Sequence, residues 1–248
     1  MKLQRLLSLT RCAVDDFQMI QAGDKIAVGI SGGKDSLTLL HALSGLKRFY
    51  PNSFELVAIA VHLGFEGLDL APVAALCEEL QVPFYVVETQ IASIVFERRQ
   101  ESNPCSLCAK MRKGAFNRRA VELGCNKIAY AHHMDDMVET MLMSMIFEGR
   151  FHTYSPVTYL DRMDITLIRP LFYLHETDII NFKKNYQLPV QKNPCPVDGH
   201  TKREYIKELV KRLEAENPGT RERIFHGILD TYKPVWEEKR ESIGTELS

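Results

Sequence analysis

The feature that most restricts the fold is the segment Lys25–Ser36, KIAVGISGGKDS. Lys25–Ile30 is a short, mostly apolar run typical of a buried β-strand, and the glycine-rich Ser31–Ser36 follows it without a spacer. After the loop, leucines recur at helical spacing, at Leu37, Leu39, Leu40 and Leu43. A strand, a glycine turn and a helix in this order direct backbone N–H groups and the positive end of a helix at one point. The segment therefore predicts a phosphate-type oxyanion site in an α/β fold.

The Ser31–Ser36 loop is neither of the two best-known phosphate loops. A Walker A loop needs G-x-x-x-x-G-K-[ST], but Gly29 and Gly33 are one residue too close, and Asp35 follows Lys34. The dinucleotide fingerprint G-x-G-x-x-G is absent. The loop resembles the SGGxDS motif of the ATP pyrophosphatase (PP-loop) superfamily, which implies that it holds the pyrophosphate end of ATP while AMP is transferred to a substrate oxygen. A simple tight turn is the alternative, although a turn needs only one glycine.

The rest of the chain alternates strand-like and helix-like segments. Besides 25–30, strands are predicted at 55–61, 83–88, 126–131 and 164–169. Helices are predicted at 2–21, 36–49, 71–80, 175–187 and 201–240, the last interrupted near residues 217–219. This alternation predicts an α/β fold with a doubly wound, mainly parallel five-stranded sheet. We expect three parts: an N-terminal helix (1–22), a PP-loop ATP pyrophosphatase domain carrying the C-x-x-C insertion (23–190), and a Cys195 loop with a helical C-terminal extension (191–248).

Composition limits the classes of function. A chain of 248 residues, 45% apolar and 25% charged, suits one large globular domain with an extension. No apolar run approaches the ~20 residues of a membrane helix, so we expect no membrane partner. Six cysteines in a chain of this length do not suggest a disulfide framework, which favours a cytoplasmic location. Because the net charge is −1, nucleic-acid binding would depend on local basic patches.

A second polar segment follows the fourth predicted strand, Ala131-His132-His133-Met134-Asp135-Asp136. Parallel strands end at one rim of a sheet, so this segment is expected beside Ser31–Ser36. Asp35 together with Asp135 or Asp136 then suits the Mg²⁺ that balances the charge of ATP. The D-x-x-E pattern from Asp136 to Glu139 also fits a helix cap. Adjacent histidines point apart, so we expect one to face the nucleotide and the other the core.

Further predictions concern the positions of other residues near this rim. His62 ends the second predicted strand and is expected to line the pocket. The apolar face of the helix after Asp136 is expected to pack in the core, through Met137, Val138, Met141, Leu142, Met145 and Ile146. Nucleotide contacts are assigned to Ser31, Gly32, Gly33, Lys34, Asp35, Ser36, His62, Ala131 and Asp136.

Cysteines mark a second candidate site. Cys105 and Cys108 form a C-x-x-C that places two thiolates on one loop at metal-binding spacing, and Cys195 in a proline-rich loop is a third candidate ligand. Three thiols fit zinc if Asp198 or His200 is the fourth ligand, and they fit a [4Fe–4S] cluster with one open iron. A redox dithiol is a further alternative. Of the remaining cysteines, Cys12 and Cys77 are expected to be buried, and Cys125 is expected to be structural.

Basic residues cluster around the C-x-x-C. Between residues 98 and 119 the only acid is Glu101. A solvated helix face explains such a run, but its position also fits an approach surface for a polyanion. The charged segment 201–240 mixes both signs and is a weaker candidate for RNA or homodimer contact. The basic residues of the first segment are Arg98, Arg99, Lys110, Arg112, Lys113, Arg118 and Arg119.

Three motifs together extend the family resemblance. The HHxDD motif and the segment Arg169-Pro170-Leu171 resemble those of tRNA-modifying PP-loop enzymes, and residues 105–150 are similar to the tRNA 2-thiocytidine synthetases (the TtcA family). This resemblance implies that Cys105, Cys108 and Cys195 hold a [4Fe–4S] cluster. It also matches Arg112 to a basic residue that related thiolases carry after the second cysteine. The family often has a second C-x-x-C at the last site, where this chain has Asp198.

The function implied is ATP-dependent tRNA thiolation. ATP would adenylylate the C2 oxygen of an anticodon-loop cytidine, and sulfur would then replace that oxygen. The expected cofactors are ATP, Mg²⁺ and a [4Fe–4S] cluster, and the expected partners are tRNA and a sulfur donor, either a cysteine desulfurase or sulfide. Alternatives are thiolation of another tRNA base, a lysidine synthetase-like modification, or a non-catalytic nucleotide- or metal-binding regulator. The expected catalytic residues are Asp35, Arg112, Asp136, Cys105, Cys108 and Cys195.

Overall fold

The structure is a computed structural model that describes residues 1–65, 67–98, 104–191, 195 and 202–246. For residues 97, 98 and 234–246 it describes the backbone alone. The predictions for Arg99, Asp198 and His200, and for the side chain of Arg98, lie outside these residues. No helix in the described part of the chain is both long and apolar enough to cross a bilayer.

A six-stranded sheet organises the fold, in the order β3-β2-β1-β4-β6-β5. Every neighbouring pair is parallel except β5 and β6. Because the chain moves outward from β1 to β3 and then returns to β4, the strand order reverses between β1 and β4, where open α/β sheets bind ligands. The strands are β1 (Asp24–Ile30), β2 (Phe54–His62), β3 (Phe84–Glu88), β4 (Lys127–Ala129), β5 (Val157–Leu160) and β6 (Ile165–Ile168).

The prediction of a doubly wound, mainly parallel sheet is confirmed, but the strand number was wrong. The missed strand, β5, has four half-buried residues at the edge of the sheet. It pairs antiparallel with β6 across a turn in which Asp164 adopts a left-handed φ of 48°. A short edge strand joined by a turn without glycine leaves little signal in the sequence.

Helices cover both faces of the sheet. The N-terminal helix ends five residues earlier than predicted, because Gln18 adopts a left-handed φ of 47° just beyond it. The helices are α1 (Leu3–Asp16), α2 (Lys34–Lys47), α3 (Ala71–Glu79), the short α4 (Ile91–Ser93), α5 (Pro104–Glu122), α6 (Met134–Glu148), α7 (Glu176–Asn185), α8 (Lys202–Glu216) and α9 (Thr220–Glu246). The division into three parts at residues 22 and 190 remains a prediction.

Two apolar cores lie on opposite sides of the sheet. Within β1, Ile26 and Val28 point into the larger core with α1, α2, α6 and α7, while Ala27 points into the smaller core beneath α5. This alternation is the period-2 geometry of a strand covered on both faces.

Two predictions about buried side chains were wrong. Cys12 is exposed on α1, whereas Cys77 is buried as predicted; Cys125 is buried too, which fits a structural cysteine. The apolar stripe of α6 packs in the core only over its first turns, since Met145 and Ile146 are 40% and 49% exposed. The stripe continues past the point where α6 leaves the core, and periodicity does not reveal where a helix loses its partner.

Candidate active site

The Ser31–Ser36 loop joins the central strand β1 to α2. Gly32 has a φ of +78°, which favours glycine, and Gly33 directly precedes the first turn of α2. The Ser36 hydroxyl donates to the Gly33 carbonyl oxygen at 2.9 Å and accepts from the Ser31 N–H at 3.2 Å. The serines therefore hold the turn in shape, while the N-terminus of α2 supplies an anion site.

A cavity of about 610 Å³ opens in front of this loop, at the reversal of strand order. Its polar wall is the loop together with Asp136, and its apolar wall is the end of β2 and the residues that follow. Helix α5 forms a third side with Arg112, Lys113 and Phe116. An anion site beside an apolar slot suits a nucleotide, whose phosphates are charged and whose base is flat. The apolar wall consists of Ile59, Ala60, Val61, Leu63, Phe65, Leu68 and Leu70.

Most predicted nucleotide contacts line this cavity. Gly32, Lys34 and His62 do not. His62 instead lies 3.2 Å from a carboxylate oxygen of Glu88 on β3. The predicted nucleotide contacts that line the cavity are Ser31, Gly33, Asp35, Ser36, Ala131 and Asp136.

The lysine of the loop is held by two carboxylates. Lys34 Nζ lies 3.1 Å from Asp35 and 3.2 Å from Glu176. Burial alone would lower the pKa of Lys34, but the charges and hydrogen bonds of Asp35 and Glu176 outweigh burial and raise it. Lys34 is therefore a fixed cation next to the loop.

His133 lies between the loop and α6. Its Nε2 is 3.8 Å from Asp35 and 3.3 Å from Asp136, and its Nδ1 is 3.6 Å from Asp135. Burial lowers the pKa of His133, but the three carboxylates together raise it above the ordinary value. Oδ1 of Asp35 is buried and accepts no hydrogen bond among the described residues, although Lys34 Nζ lies 3.1 Å from it. Two neighbouring carboxylates, those of Asp35 and Asp136, suit a hard cation such as Mg²⁺.

Asp136 takes part in capping α6, but not as the first residue of the predicted D-x-x-E pattern. The cap residue is His133, and Asp136 completes a capping box three positions later, where its carboxylate accepts a hydrogen bond from the His133 N–H at 3.0 Å. The prediction that the two histidines point apart is partly right. His132 lines the cavity, but His133 is buried among carboxylates rather than in an apolar core.

Asp135 has a different environment from Asp136 and does not line the cavity. It accepts a hydrogen bond from the Glu176 N–H at 2.7 Å and pairs with Arg221 at 3.0 Å. Burial raises the pKa of Asp135, but the hydrogen bonds of His133 and Glu176 and the charge of Arg221 lower it to about 2. Asp135 thus joins α6 to α7 and α9.

Asp135→Asn is expected to destabilise the fold in a pH-dependent way. Because the folded pKa lies below the unfolded value, the stabilisation is present above about pH 4 and is lost as pH falls toward 2. The free energy of unfolding at pH 7 should fall by roughly 2 kcal/mol. Urea unfolding of both proteins between pH 7 and pH 3 measures the difference. A difference that stays constant with pH would contradict this assignment, and the exposed Asp161→Asn is the matched control.

The C-terminal helices supply cations that the sequence analysis missed. Arg203 on α8 lies 3.2 Å from Asp136 and 3.3 Å from Glu139, and Lys207 lies 2.8 Å from Glu176. Burial and the nearby Asp136 raise the pKa of Glu139 to about 7, although Arg203 opposes them. The mixed charges of 201–240 suggested RNA or dimer contact, but these cations face the site.

The cysteines of the C-x-x-C lie in the first two turns of α5, not on a loop as predicted. At this spacing both thiols share a helix face with Arg112, which lines the cavity. Burial raises the pKa of Cys108; Arg112 opposes this, and the charges of Cys195 and Cys105 raise it further. Cys105 and Cys195 are therefore near enough to Cys108 for their charges to act on it, and so is Arg112 of the cavity wall. Among the described residues no group of three histidine, cysteine or acidic side chains already has metal-binding geometry.

The basic segment divides into two groups. Arg112 and Lys113 line the cavity. Arg119 faces elsewhere, with its guanidinium 5.3 Å from the Tyr85 ring centre and 3.1 Å from Glu122. Only the first group is placed to meet a ligand in the cavity.

Comparison with known proteins places these features in a family. The PP-loop domain family matches residues 7–213. A tRNA-cytidine(32) 2-sulfurtransferase from Geobacter sulfurreducens is 39% identical over 219 residues, covering 87% of this chain and 85% of the relative. The protein of the same name from Pelobacter propionicus is 40% identical over 232 residues, covering 92% and 86%.

Solved structures of other proteins have the same fold. The U34-tRNA thiolase NcsA from Methanococcus maripaludis, solved with its [4Fe-4S] cluster, matches with a TM-score of 0.73 and 25% identity over 93% of this chain and 78% of the thiolase. The NH3-dependent NAD synthetase of Campylobacter jejuni shares the fold, with a TM-score of 0.51 and 17% identity over 98% of this chain and 93% of the synthetase. The chain therefore belongs to the PP-loop domain family and, within it, to the family of the tRNA-cytidine(32) 2-sulfurtransferases.

Proposed function

We propose that this chain is an ATP-dependent tRNA sulfurtransferase that replaces the C2 oxygen of cytidine 32 with sulfur. One observation carries the proposal: the ATP-type cavity and the thiols of Cys105 and Cys108 share helix α5. Arg112 lines the cavity, and Cys108 lies one helical turn before it. Activation of the base and delivery of sulfur can therefore occur at the same place.

The first step is adenylylation of the base. The loop amides and the N-terminus of α2 would bind the pyrophosphate end of ATP, and the apolar wall after β2 would hold the adenine. Asp35 and Asp136 would hold Mg²⁺ against the phosphates. The C2 oxygen attacks the α-phosphorus, the bond to the β-phosphate oxygen breaks, and pyrophosphate leaves with the electron pair.

The second step exchanges oxygen for sulfur. A sulfur nucleophile forms a bond to C2, and the C2–O bond then breaks to release AMP, whose phosphate retains the oxygen. Arg112 lines the cavity and would neutralise the charge that develops on the leaving phosphate.

Three thiols whose charges interact match the donor set of an iron–sulfur cluster with one open iron. Cys105, Cys108 and Cys195 would hold a [4Fe–4S] cluster, which supplies a thiophilic metal for sulfur transfer. We propose that the sulfur comes from sulfide or a cysteine desulfurase, and that the protein acts in the cytoplasm. Homodimer formation remains a prediction.

The function is tested with anaerobically reconstituted protein, ATP, Mg²⁺, sulfide and unmodified tRNA. AMP, pyrophosphate and 2-thiocytidine should appear in equal amounts. Nucleoside mass spectrometry measures the 2-thiocytidine. Another thionucleoside would show that the base is wrong, and lysidine would indicate the alternative modification. ATP binding without release of pyrophosphate would favour a regulator.

A further inference from the structure

The cavity contains a histidine, His132, whose hydrogen-bonding direction is determined by Arg169, a residue that does not line the cavity. Arg169 is 7% exposed, and its Nε donates to Nδ1 of His132 at 3.2 Å. The same guanidinium donates to the Ser155 carbonyl oxygen and, at 3.2 Å, to Thr158 Oγ1. It also lies 4.7 Å from the ring centre of Tyr154. Arg169 is therefore fixed by β5 and the residues before it.

This contact determines where the proton of His132 lies. A guanidinium has no acceptor, so the Nδ1 facing it must be unprotonated and the neutral ring carries its proton on Nε2. Burial and the charge of Arg169 lower the pKa of His132 to about 4, which keeps the ring neutral at pH 7. The ring packs 4.8 Å from Tyr154 and 5.9 Å from Tyr130, which opposes a flip.

The other nitrogen of His132 can meet a ligand in the cavity. His132 lines the cavity beside Tyr130 and Asp136, and the side-chain hydrogen bond that it makes among the described residues is the one at Nδ1. The protein thus presents a hydrogen-bond donor that cannot become an acceptor unless Arg169 moves.

Cytosine and uracil differ at N3, the atom that a hydrogen-bond donor at this position would contact. N3 of cytosine is an acceptor next to the reacting C2, whereas N3 of uracil carries a hydrogen and would oppose a second donor. We propose that Nε2–H of His132 donates to N3 of the target base and selects cytidine over uridine, with Arg169 as the positioning residue. The inference rests on the proposed function and deepens it, because it assigns the choice of base to this site.

The test compares kcat/KM for thiolation of tRNA with cytidine, 3-deazacytidine or uridine at position 32. The wild type should prefer cytidine to 3-deazacytidine, which has C–H in place of N3, by about 10- to 100-fold. In His132→Gln, whose amide can turn to donate or accept, this preference and the preference over uridine should both shrink about tenfold or more. The exposed His226→Gln should keep the wild-type ratios.

A measurement without substrate tests the tautomer. Nitrogen-15 NMR of the eight histidines, with the His132 signals identified by their loss in His132→Gln, should show an unprotonated Nδ1 at neutral pH. If wild-type protein forms 2-thiocytidine but His132→Gln keeps the wild-type ratios, or if Nδ1 carries the proton, the inference is overturned while the proposed function stands. If the wild type forms no 2-thiocytidine, the proposed function itself fails, and the inference fails with it.

Discussion

Asp136→Asn is expected to reduce AMP formation in the presence of tRNA by about 100- to 1,000-fold. Asp136 lines the cavity, and its carboxylate and that of Asp35 flank His133. Asparagine keeps an oxygen that can accept the hydrogen bond from the His133 N–H, so the first turn of α6 is retained. What it removes is the negative charge proposed to hold Mg²⁺ against the phosphates. Pyrophosphate release and AMP formation measure the effect, and thermal unfolding shows that the variant is folded.

Asp135→Asn is the informative comparison, because the neighbouring carboxylate faces α7 and α9 instead of the cavity. It should lose stability but keep most AMP formation. The exposed Asp161→Asn should change neither quantity. If Asp135→Asn loses activity while Asp136→Asn keeps it, the magnesium ligand is Asp135 and not Asp136.

Serine at Cys108 or Cys195 is expected to abolish thiolation and to remove the brown iron–sulfur absorption of anaerobically reconstituted protein. A hydroxyl is a poor iron ligand compared with a thiolate, and two thiols are too few for this cluster. Neither cysteine lines the cavity, so the affinity for ATP should change little. Iron and acid-labile sulfide content, nucleoside mass spectrometry and a nucleotide-binding titration give the three readouts.

Cys12→Ser is the matched control, since Cys12 is exposed on α1 and away from these thiols. It should keep the cluster and full thiolation. Colourless protein with one zinc per chain, purified without oxygen, would contradict the cluster and favour a zinc site with Asp198 or His200 as the fourth ligand.

The sheet was predicted from local patterns of apolar residues in the sequence. The central strands β1, β2, β4 and β6 are apolar because both faces are covered, so each was visible in the sequence. The edge strand β5 was missed because its residues are only half buried and it depends on pairing with β6. The end of the core contact along α6 was missed for a similar reason, since burial of Met145 depends on a neighbour that the chain does not place there.

The phosphate loop, the acidic segment after β4 and the C-x-x-C could be recognised in the sequence, because each is a short motif attached to a strand or helix end. Their roles depend on the tertiary structure. It turned Asp136 toward the cavity and Asp135 toward Arg221, and it set the proton of His132 through Arg169, 37 positions away. It also brought Arg203 to Asp136 across 67 positions. Such contacts follow from how helices pack around the sheet, and no local periodicity records which distant side chain will meet a given carboxylate.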